Sequence, residues 1–563
     1  MRMINRLSHA PSVNVVAFVL TISVLSGCGG ADSTSADAAV IVPPVATTPE
    51  PPPAETEPEP EDPAPSETDN ALRALIDESN IVPINVEELG APSVQSDLAQ
   101  LGKQLFFAKN LGGESSVACV SCHHPMLGGA DALSLSVGVN AVNQFDQQSH
   151  DLLGNGRFNG AHVDNLPVVP RNAPTVFNMA MNDQAVFWDG RIERRADGQI
   201  LTPDSIVNAQ GRRLVDENLP DGISLADAQA RFPVTSNAEM RGDFSSDSDN
   251  QTLRDLLAQR FSNTDQLFSS TWPISFEQVF NESSISFDKI ASALASYERS
   301  MVFVNNAWQD YLTGDNSALT EQQKQGAMLF FTPQNEGGAG CNACHNGPTF
   351  SDSRNHLVAF PQLGPGKGNN SGAGDSDDFG RENISGEAQD RYHFRTPTLL
   401  NIATSAPYGH AGAYQTLEEV VRHYVNPQGA ISDLFAANNG EPFVRGGSDN
   451  APICQLPQIA DIGEKTNSDC EELLEGAYEN SLAAVQHLQQ ARDGQVDARN
   501  IFNRNAQLNG GQVAQLVAFL QSLSDPCITN RECMSPWIMD AEDEASFPDD
   551  SLLVAEDENG DSL

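Results

Sequence analysis

The fold of this chain is indicated by one short stretch, Gly340-Cys341-Asn342-Ala343-Cys344-His345-Asn346-Gly347. Two thiols three positions apart, followed at once by a histidine, form a c-type haem attachment motif. Each thiol can add to one vinyl group of the haem, and the adjacent imidazole then binds the iron as its proximal ligand. The sequence therefore predicts a covalently bound haem c at Cys341, Cys344 and His345.

The same motif occurs a second time, at Cys119, Cys122 and His123. A single copy could equally belong to a disulfide or a zinc site, whereas two copies favour two haems. Each copy follows an apolar segment that ends in two phenylalanines, Phe106-Phe107 and Phe330-Phe331. This internal repeat of one haem-binding unit predicts a mostly α protein with two cytochrome c-like haem domains and long irregular loops.

The N-terminus has the pattern of an export signal. Arg2 and Arg6 precede an apolar run at 13–24, which is too short to span a bilayer as a mature helix. The run ends in Leu25-Ser26-Gly27-Cys28, which resembles a bacterial lipobox. We therefore expect a lipoprotein signal peptide at 1–28 and a periplasmic protein anchored by lipid to the outer membrane. An ordinary cleaved signal is the alternative.

Composition divides the remainder of the chain. Ten of the 23 residues between Pro43 and Pro65 are proline, which predicts a disordered Pro/Glu-rich tether over 29–70. From Asp540 onward the sequence has ten acids and no base, which predicts disorder. The predicted folded domains and tail are an N-terminal haem domain at 71–318, a C-terminal haem domain at 319–535 and an acidic tail at 536–563.

Within these domains, capping residues and apolar periodicity predict helices and the intervening polar stretches predict loops. Helices are expected after Ser96, over 287–301, after Thr320, after Thr416 and around 513–520. Long loops are expected at 140–170, 192–232 and 361–390.

Four cysteines remain once Cys28 and the haem thiols are set aside. An even remainder in an oxidising compartment suggests two disulfides. Pairing Cys454 with Cys470 and Cys527 with Cys533 closes the shortest loops, but spacing leaves the connectivity open. The formal net charge of −45 argues against nucleic-acid binding, which needs a basic face.

Beyond the two haem motifs, five segments make the chain similar to the bacterial dihaem cytochrome c peroxidase and MauG family. They are Leu101-Gly102-Lys103-Gln104-Leu105-Phe106-Phe107, Arg171-Asn172-Ala173-Pro174-Thr175, Phe187-Trp188-Asp189-Gly190-Arg191, Arg395-Thr396-Pro397-Thr398-Leu399 and Ala406-Pro407-Tyr408-Gly409-His410. The resemblance implies that the first haem is the peroxide site and the second an electron relay. It also implies that Trp188 lies between the two haems; a core aromatic is the alternative.

Two departures separate this chain from the peroxidases of that family. Those enzymes carry a histidine after the glycine that corresponds to Gly138, where this chain has Val139. Valine cannot bind iron, so the first haem is expected to be five-coordinate unless His150 or His162 binds it. At the second haem the family's methionine position falls on Tyr424, as in MauG.

A bound ferric iron would favour the phenolate form of Tyr424, and a phenolate ligand implies a low reduction potential. The alternative is that Tyr424 only packs in the core, with His423 or no residue as the ligand.

The resemblance also implies an acid–base residue, Glu239, with Gln229 and Pro233 in the distal pocket. A surface glutamate is the alternative for Glu239. It further implies a calcium ion held by the Asn172 side chain and by the carbonyls of Ser405 and Pro407, since calcium prefers oxygen ligands. The family commonly has threonine in place of Ser405. His410 is expected to be structural.

The expected function is a haem peroxidase that uses hydrogen peroxide to oxidise a protein substrate or a small redox protein. Two alternatives remain: plain peroxide detoxification with electrons from a small cytochrome, and a non-enzymatic electron carrier. The last requires two protein ligands on both irons. Membrane contact is expected only through the lipid.

Overall fold

Described parts of the chain start at Pro65. The computed structural model describes residues 65–563 except for 140, 144–150, 160–168, 210, 263–269, 365, 369–375, 437–450, 457, 461–469, 471–473, 475, 504 and 558. The predicted signal peptide, the lipobox and nearly all of the predicted tether lie outside the described residues, as do His150 and His162. In the part that is described, no helix has both the length and the apolar character needed to cross a bilayer.

Helices dominate the regular structure, as the sequence predicted. Those of the first half are α1 (Glu67–Glu78), α2 (Asp97–Phe106), α3 (Leu225–Ala230), α4 (Asn250–Phe261), α5 (Trp272–Phe280), α6 (Phe287–Ser300) and α7 (Ala307–Thr313). Those of the second half are α8 (Glu321–Phe331), α9 (Glu382–Ser385), α10 (Leu417–Val425), α11 (Pro427–Phe435), α12 (Ala477–Arg492), α13 (Gly510–Gln521), α14 (Arg531–Met534) and α15 (Ala541–Ser546).

Strands are short and antiparallel. Strand β1 (Ala141–Asn143) pairs with β2 (Arg157–Asn159), and β6 (Asn355–Leu357) pairs with β7 (His393–Arg395). The third sheet has the order β3 (Ala185–Val186), β4 (Ile192–Arg194), β5 (Ile200–Leu201). These sheets lie in or beside the loops predicted at 140–170, 192–232 and 361–390.

The predicted helix starts are confirmed by their capping hydrogen bonds. The side chains of Ser96, Thr320 and Thr416 each accept a hydrogen bond from the backbone N–H three residues on. Helices α6 and α13 cover the apolar stretches predicted at 287–301 and 513–520. The two disulfides, Cys454–Cys470 and Cys527–Cys533, are also those suggested by the shortest loops.

The internal repeat is visible in the packing of two helix pairs. Gly102 in α2 lies against α6 so closely that an added Cβ would overlap the carbonyl oxygen of Ala293. Gly326 in α8 lies against α13 in the same way, where its Cβ would overlap the carbonyl oxygen of Gln515. In each pair the glycine stands five residues before the last of the two phenylalanines. A glycine at each crossing lets the two backbones touch.

The hydrophobic residues form two large cores. One gathers α2 to α6 and the segment around the first haem motif, and the other gathers α7, α8, α10, α11 and α13. Helix α1 also packs into the second core, through Leu72 and Ile76. The predicted end of the tether at residue 70 is therefore wrong, because Ser66 caps α1 and the helix starts at Glu67.

The C-terminal segment is ordered, so the prediction of disorder from Asp540 onward is wrong. Asp543 forms a 2.6 Å ion pair with Lys103, and Asp549 accepts a 2.7 Å hydrogen bond from Nε1 of Trp272. Leu553 is fully buried in the first core, and its N–H donates to the carbonyl oxygen of Phe107. The acid-rich composition of this segment predicts disorder, but several of its acids bind partners that are distant in sequence.

The predicted loops contain more structure than expected. The stretch 192–232 holds β4, β5, a further hairpin between Ile206 and Leu214, and α3. The stretch 140–170 holds β1 and β2, and α9 lies within 361–390. Asp378, in the last stretch, is buried and anchored by an arginine of the first half.

Candidate functional site

The first haem motif lines a cavity that also collects the residues predicted for peroxide chemistry. Its wall includes Cys119, Cys122 and His123, and it includes Gln229, Pro233 and Glu239. Sequence reasoning placed these two groups together although more than a hundred residues separate them.

His123 is held in the orientation of an iron ligand. Its Nδ1 donates a 3.2 Å hydrogen bond to the carbonyl oxygen of Gly129, a tautomer assigned from the acceptor on that side. Burial lowers the pKa of His123 to about 4, so the imidazole is neutral at physiological pH. A neutral imidazole whose Nδ1 is committed to a carbonyl presents Nε2 to a metal.

The second haem motif repeats this arrangement in a separate cavity lined by Cys341, Cys344, His345 and Tyr424. The Nδ1 of His345 donates a 2.9 Å hydrogen bond to the carbonyl oxygen of Phe350. Burial lowers the pKa of His345 to about 4 as well. Both histidines are therefore prepared as ligands by the same kind of contact.

Tyr424 and His423 differ in their access to that second cavity. Tyr424 lines it, and its ring packs edge-on against Phe360 and Phe502. His423 is fully buried, with Nδ1 2.9 Å from the hydroxyl of Tyr414 and Nε2 3.0 Å from the carbonyl oxygen of Val358. Since both ring nitrogens of His423 are occupied, the geometry favours Tyr424 over its neighbour.

The phenol of Tyr424 is also desolvated. Its burial, with the haem-motif thiols nearby, raises its pKa well above the ordinary value. A phenol buried in this way stays protonated unless a cation stabilises the phenolate. Iron bound by His345 is a cation of the required kind.

The two cavities fit haem. All four motif cysteines are free thiols in the wall of a cavity rather than partners in a disulfide. Burial raises the pKa of Cys122 and of Cys341 to about 12, which keeps both as neutral thiols. Among the described residues, no group of three or more His, Cys, Asp or Glu side chains is placed to hold a metal ion.

Trp188 lies between the cavities, because its side chain lines both of them. Asn172, Pro174, Thr175, Asn182 and Arg395 are shared in the same way. The two cavities thus share part of their walls, and Trp188 is the aromatic residue in the shared set.

An ion-pair cluster fixes the turn that carries Trp188. Arg171 donates to Asp378 at 2.7 Å and to Asp189 at 2.6 Å, and all three side chains are buried. The two carboxylates raise the pKa of Arg171 against the opposing effect of burial. Phe187, which precedes the tryptophan, has a φ of 66°, a conformation that costs a non-glycine residue about 1–3 kcal/mol.

Glu239 stands on a single π-helical turn, Asn237–Arg241, at the edge of the first cavity. Its Oε1 is 3.8 Å from a guanidinium nitrogen of Arg191. An added Cβ on Gly138 would overlap the carbonyl oxygens of this turn, so glycine permits the close approach. Val139 is buried behind the turn and is not part of the cavity wall.

Comparison with known proteins agrees with this geometry. The family model for di-haem cytochrome c peroxidase matches residues 96–317. The cytochrome c551 peroxidase of Pseudomonas aeruginosa is 28% identical over 395 residues, which cover 69% of this chain and 90% of that protein. The methylamine utilization protein MauG of Methylorubrum extorquens is 28% identical over 343 residues, covering 61% of this chain and 72% of that protein.

These matches support the membership of this chain in the bacterial dihaem cytochrome c peroxidase and MauG family. Two haems and a peroxidase-type oxidoreductase activity go with that membership. A further relative is the cytochrome-c peroxidase IdrP2 of Denitromonas iodatirespirans, 28% identical over 61% of this chain and 77% of that protein. Among solved structures, a MauG-like protein associated with microbial copper homeostasis aligns with a TM-score of 0.45 and 19% identity, over 87% of this chain and all of that one.

The residues assigned to calcium in this dihaem protein lie in the second cavity, where Asn172, Ser405 and Pro407 all line the wall. The amide Nδ2 of Asn172 donates a 2.9 Å hydrogen bond to the carbonyl oxygen of Leu133, which leaves Oδ1 as the atom available to a cation. The donor set of oxygen atoms suits calcium. Calcium binding itself stays a prediction.

Sequence reasoning missed a second repeated motif of the dihaem protein. Pro174-Thr175 precedes Asn178, and Pro397-Thr398 precedes Asn401 at the same spacing. Both asparagines adopt the left-handed conformation, and the Nδ2 of each donates to the carbonyl oxygen of Phe303. The signal was in the sequence, as a Pro-Thr-x-x-Asn pattern that occurs once after each haem motif.

Several other residues of the first cavity were not expected either. They are Met179, Met240, Arg191, Glu298 and Lys367. The two methionines carry thioethers that can bind iron, so they join His150 and His162 as the competitors that an open first haem must be tested against.

Proposed function

We propose that this protein is a peroxidase of the MauG type, which uses hydrogen peroxide at the first haem to oxidise a partner protein. The observation that supports this most is the placement of Tyr424 in the second cavity while both ring nitrogens of His423 are engaged elsewhere. A phenolate ligand favours ferric iron and lowers the reduction potential, which suits an oxidant more than an acceptor of donor electrons.

The residues of the two cavities would have separate roles. The thiols of Cys119, Cys122, Cys341 and Cys344 would hold the two haems covalently, and His123 and His345 would bind the irons. The haems, when bound, would supply the iron needed to bind peroxide and to store the oxidising equivalents. Trp188, in the wall between the cavities, would carry electrons from one side to the other.

Glu239 would act as the general acid and base in peroxide cleavage. Cleavage of peroxide would require one proton to move from one of its oxygens to the other, and a single carboxylate within reach of both could accept that proton and then return it. Arg191, 3.8 Å away, would hold the carboxylate at the cavity edge. Gln229 and Pro233 would shape the peroxide pocket from the same wall.

A cytochrome c peroxidase that removes peroxide with electrons from a small cytochrome is the second candidate. The peroxidase names of several relatives at the same identity as MauG favour it. It requires a second haem with a relatively high potential. A non-enzymatic electron carrier is the third, and it requires a protein ligand such as Met179 or Met240 on the first iron.

One experiment separates these functions. Low-temperature EPR of the ferric holoprotein should give one high-spin and one low-spin haem, with the low-spin signal changed in Tyr424→Met. Tyr414→Phe is the matched control, since Tyr414 contacts His423 and lies outside the cavity wall, and its spectrum should match the wild type. Two low-spin signals that are the same in the wild type and in Tyr424→Met would reject the proposal.

Location is part of the proposal. We propose a periplasmic protein held at the outer membrane by lipid on Cys28. Cys28→Ser should release the protein into the soluble periplasmic fraction if the lipid is the anchor. Retention of that variant in the membrane fraction would contradict it.

A further inference from the structure

Glu298 is a buried carboxyl group for which the described residues provide no cationic partner. It lies on α6 with 4% of its surface exposed, and it lines the first cavity. Its Oε2 is fully enclosed and makes no hydrogen bond to the part of the chain that is described. An isolated carboxylate in such a place costs several kcal/mol, so the group stays neutral unless something offsets its charge.

The helices around α6 offer no such offset, because their charged side chains are already used. Those that pack against it are paired as Lys103 with Asp543, Arg231 with Asp227 and Asp288, and Arg254 with Asp204. Arg260 of α4 donates to the carbonyl oxygens of Asn110, Gly112 and Gly113. Asp97 and Asp255 on the same helices are exposed. On α6 itself, the hydroxyl of Tyr297 donates to the carbonyl oxygen of Trp537.

The cavity side is the remaining neighbour of Glu298. Its other titratable members are Cys119, Cys122, His123, Arg171, Arg191, Glu239, Lys367 and Arg395. After burial, a negative charge on Glu298 is the next cause that raises the pKa of Cys119, the first thiol of the haem motif. Arg191 is shared between Asp189 and Glu239 rather than with Glu298. Burial alone raises the pKa of Glu298 to about 8.

A carboxyl in this position responds to the charge that it faces. When the iron of the first haem loses an electron, the cavity gains a positive charge in a medium of low dielectric constant, and the anionic form of Glu298 becomes favourable. When the iron gains an electron, the neutral form is favoured again. No other described carboxyl in the cavity lacks a cation, since Glu239 has Arg191.

We propose that Glu298 is a redox-linked proton site of the first haem, which takes a proton from water when the iron is reduced and returns it to water when the iron is oxidised. One electron and one proton then enter or leave together, and the net charge of the cavity stays constant. This role differs from that of Glu239, which handles the protons of peroxide. It holds whether the partner is a protein substrate or a cytochrome.

Mediated potentiometry of the holoprotein, from pH 6 to 10, tests the proposal. The potential of the first haem should fall by about 59 mV for each tenfold drop in proton activity between the two pKa values of the site. Glu298→Gln mimics the protonated carboxyl, so its potential should match the wild type at low pH, stay above it at high pH and lose this slope. An unchanged slope in Glu298→Gln overturns the proposal.

Asp131 provides the matched competitor. It is a second buried carboxyl near the haem motif, with an unpaired Oδ2 and a pKa that burial raises to about 7, but it lies outside the cavity wall. Asp131→Asn should keep the slope that Glu298→Gln loses. The reverse result assigns the proton to Asp131 and also overturns the proposal.

A second measurement keeps the test valid if Glu298→Gln fails to hold haem. A redox-induced infrared difference spectrum of the wild type should show a protonated-carboxyl band that appears when the first haem is reduced and shifts in heavy water. Glu298→Asp retains a carboxyl and should move that band. Absence of the band in the wild type, or a band that Glu298→Asp leaves in place, rejects the proposal.

Discussion

The indole Nε1 of Trp188 donates a 2.8 Å hydrogen bond to the backbone carbonyl oxygen of Asn172. The residue proposed to carry electrons is therefore bound directly to the residue proposed to bind calcium through its side chain. The backbone N–H of Asn172 in turn donates to the carbonyl oxygen of His410. A change at the proposed calcium site should therefore alter the position of Trp188 in the wall between the two cavities.

Trp188→Phe should slow peroxide-driven oxidation of the partner or donor by at least tenfold while leaving cyanide binding to the first ferric haem intact. Phenylalanine keeps an aromatic ring but is harder to oxidise and lacks the hydrogen bond to Asn172. Stopped-flow spectra after peroxide addition measure the effect. Trp308→Phe, a buried tryptophan outside both cavity walls, is the control. Undiminished turnover in Trp188→Phe would remove the relay role.

Calcium removal should give a similar defect through the same bond. Chelation should slow electron transfer between the haems, and calcium should restore it better than magnesium, which demands near-ideal octahedral geometry. Asn172→Ala should mimic the depleted protein, whereas Ser405→Ala should not, because Ser405 is assigned a role through its carbonyl. Metal analysis of the purified protein, followed by single-turnover kinetics, checks this. Full activity without bound calcium would contradict it.

Glu239→Gln should reduce the rate of the reaction with peroxide by about 10²–10⁴-fold, the range typical of a lost acid–base residue. The amide keeps the shape of the side chain but cannot take up the proton. Rapid-mixing kinetics at the first haem give the rate. Glu217→Gln, at an exposed position of the same half, should behave as the wild type. Equal rates in the two variants would return Glu239 to the surface-glutamate interpretation.

Tyr424→Met should raise the potential of the second haem, because a thioether stabilises ferrous iron where a phenolate stabilises ferric iron. The variant should gain peroxidase turnover with a reduced small cytochrome and lose oxidation of a protein partner. Potentiometry and donor assays report on the two effects separately. A potential that does not move would mean that Tyr424 is not a ligand.

Asp543→Asn should lower the free energy of unfolding by roughly 1.5–3 kcal/mol, the value of a hydrogen bond to a charged group. Lys103 is buried, and without the Asp543 carboxylate its ammonium would keep, among the described residues, the carbonyl oxygens of Pro536 and Ile538 as its acceptors. Denaturant titration measures the loss. Asp550→Asn, at an exposed position of the same segment, should stay within about 0.5 kcal/mol of the wild type.

Local signals in the sequence were sufficient for most of the fold. Capping residues located the starts of α2, α8 and α10, and the repeated phenylalanine pairs revealed the two equivalent helices before the haem motifs. Composition misled where a segment depends on distant partners. The acids of the C-terminal segment have a disorder-prone composition, but Lys103 and Trp272 bind two of them.

In the candidate site too, local sequence signals revealed some residues, and the others became visible only in the folded structure. Motifs located the cysteines, histidines, Trp188, Glu239 and Tyr424 in two cavities. They could not reveal Glu298 or Lys367, because neither belongs to a recognisable pattern and each meets the first cavity only through folding. The engagement of His423 with Tyr414 and Val358 is likewise a three-dimensional fact, and it bears on the choice between two neighbouring candidate ligands.

Two segments of the folded chain are exchanged between its halves. Helix α1 joins the core of the second half, and Leu553 completes the core beside Phe106 and Phe107. A fragment cut at residue 318 would therefore leave the first core without Leu553 and the second core without α1. Each haem-binding half thus depends on a segment from the other half for a complete core.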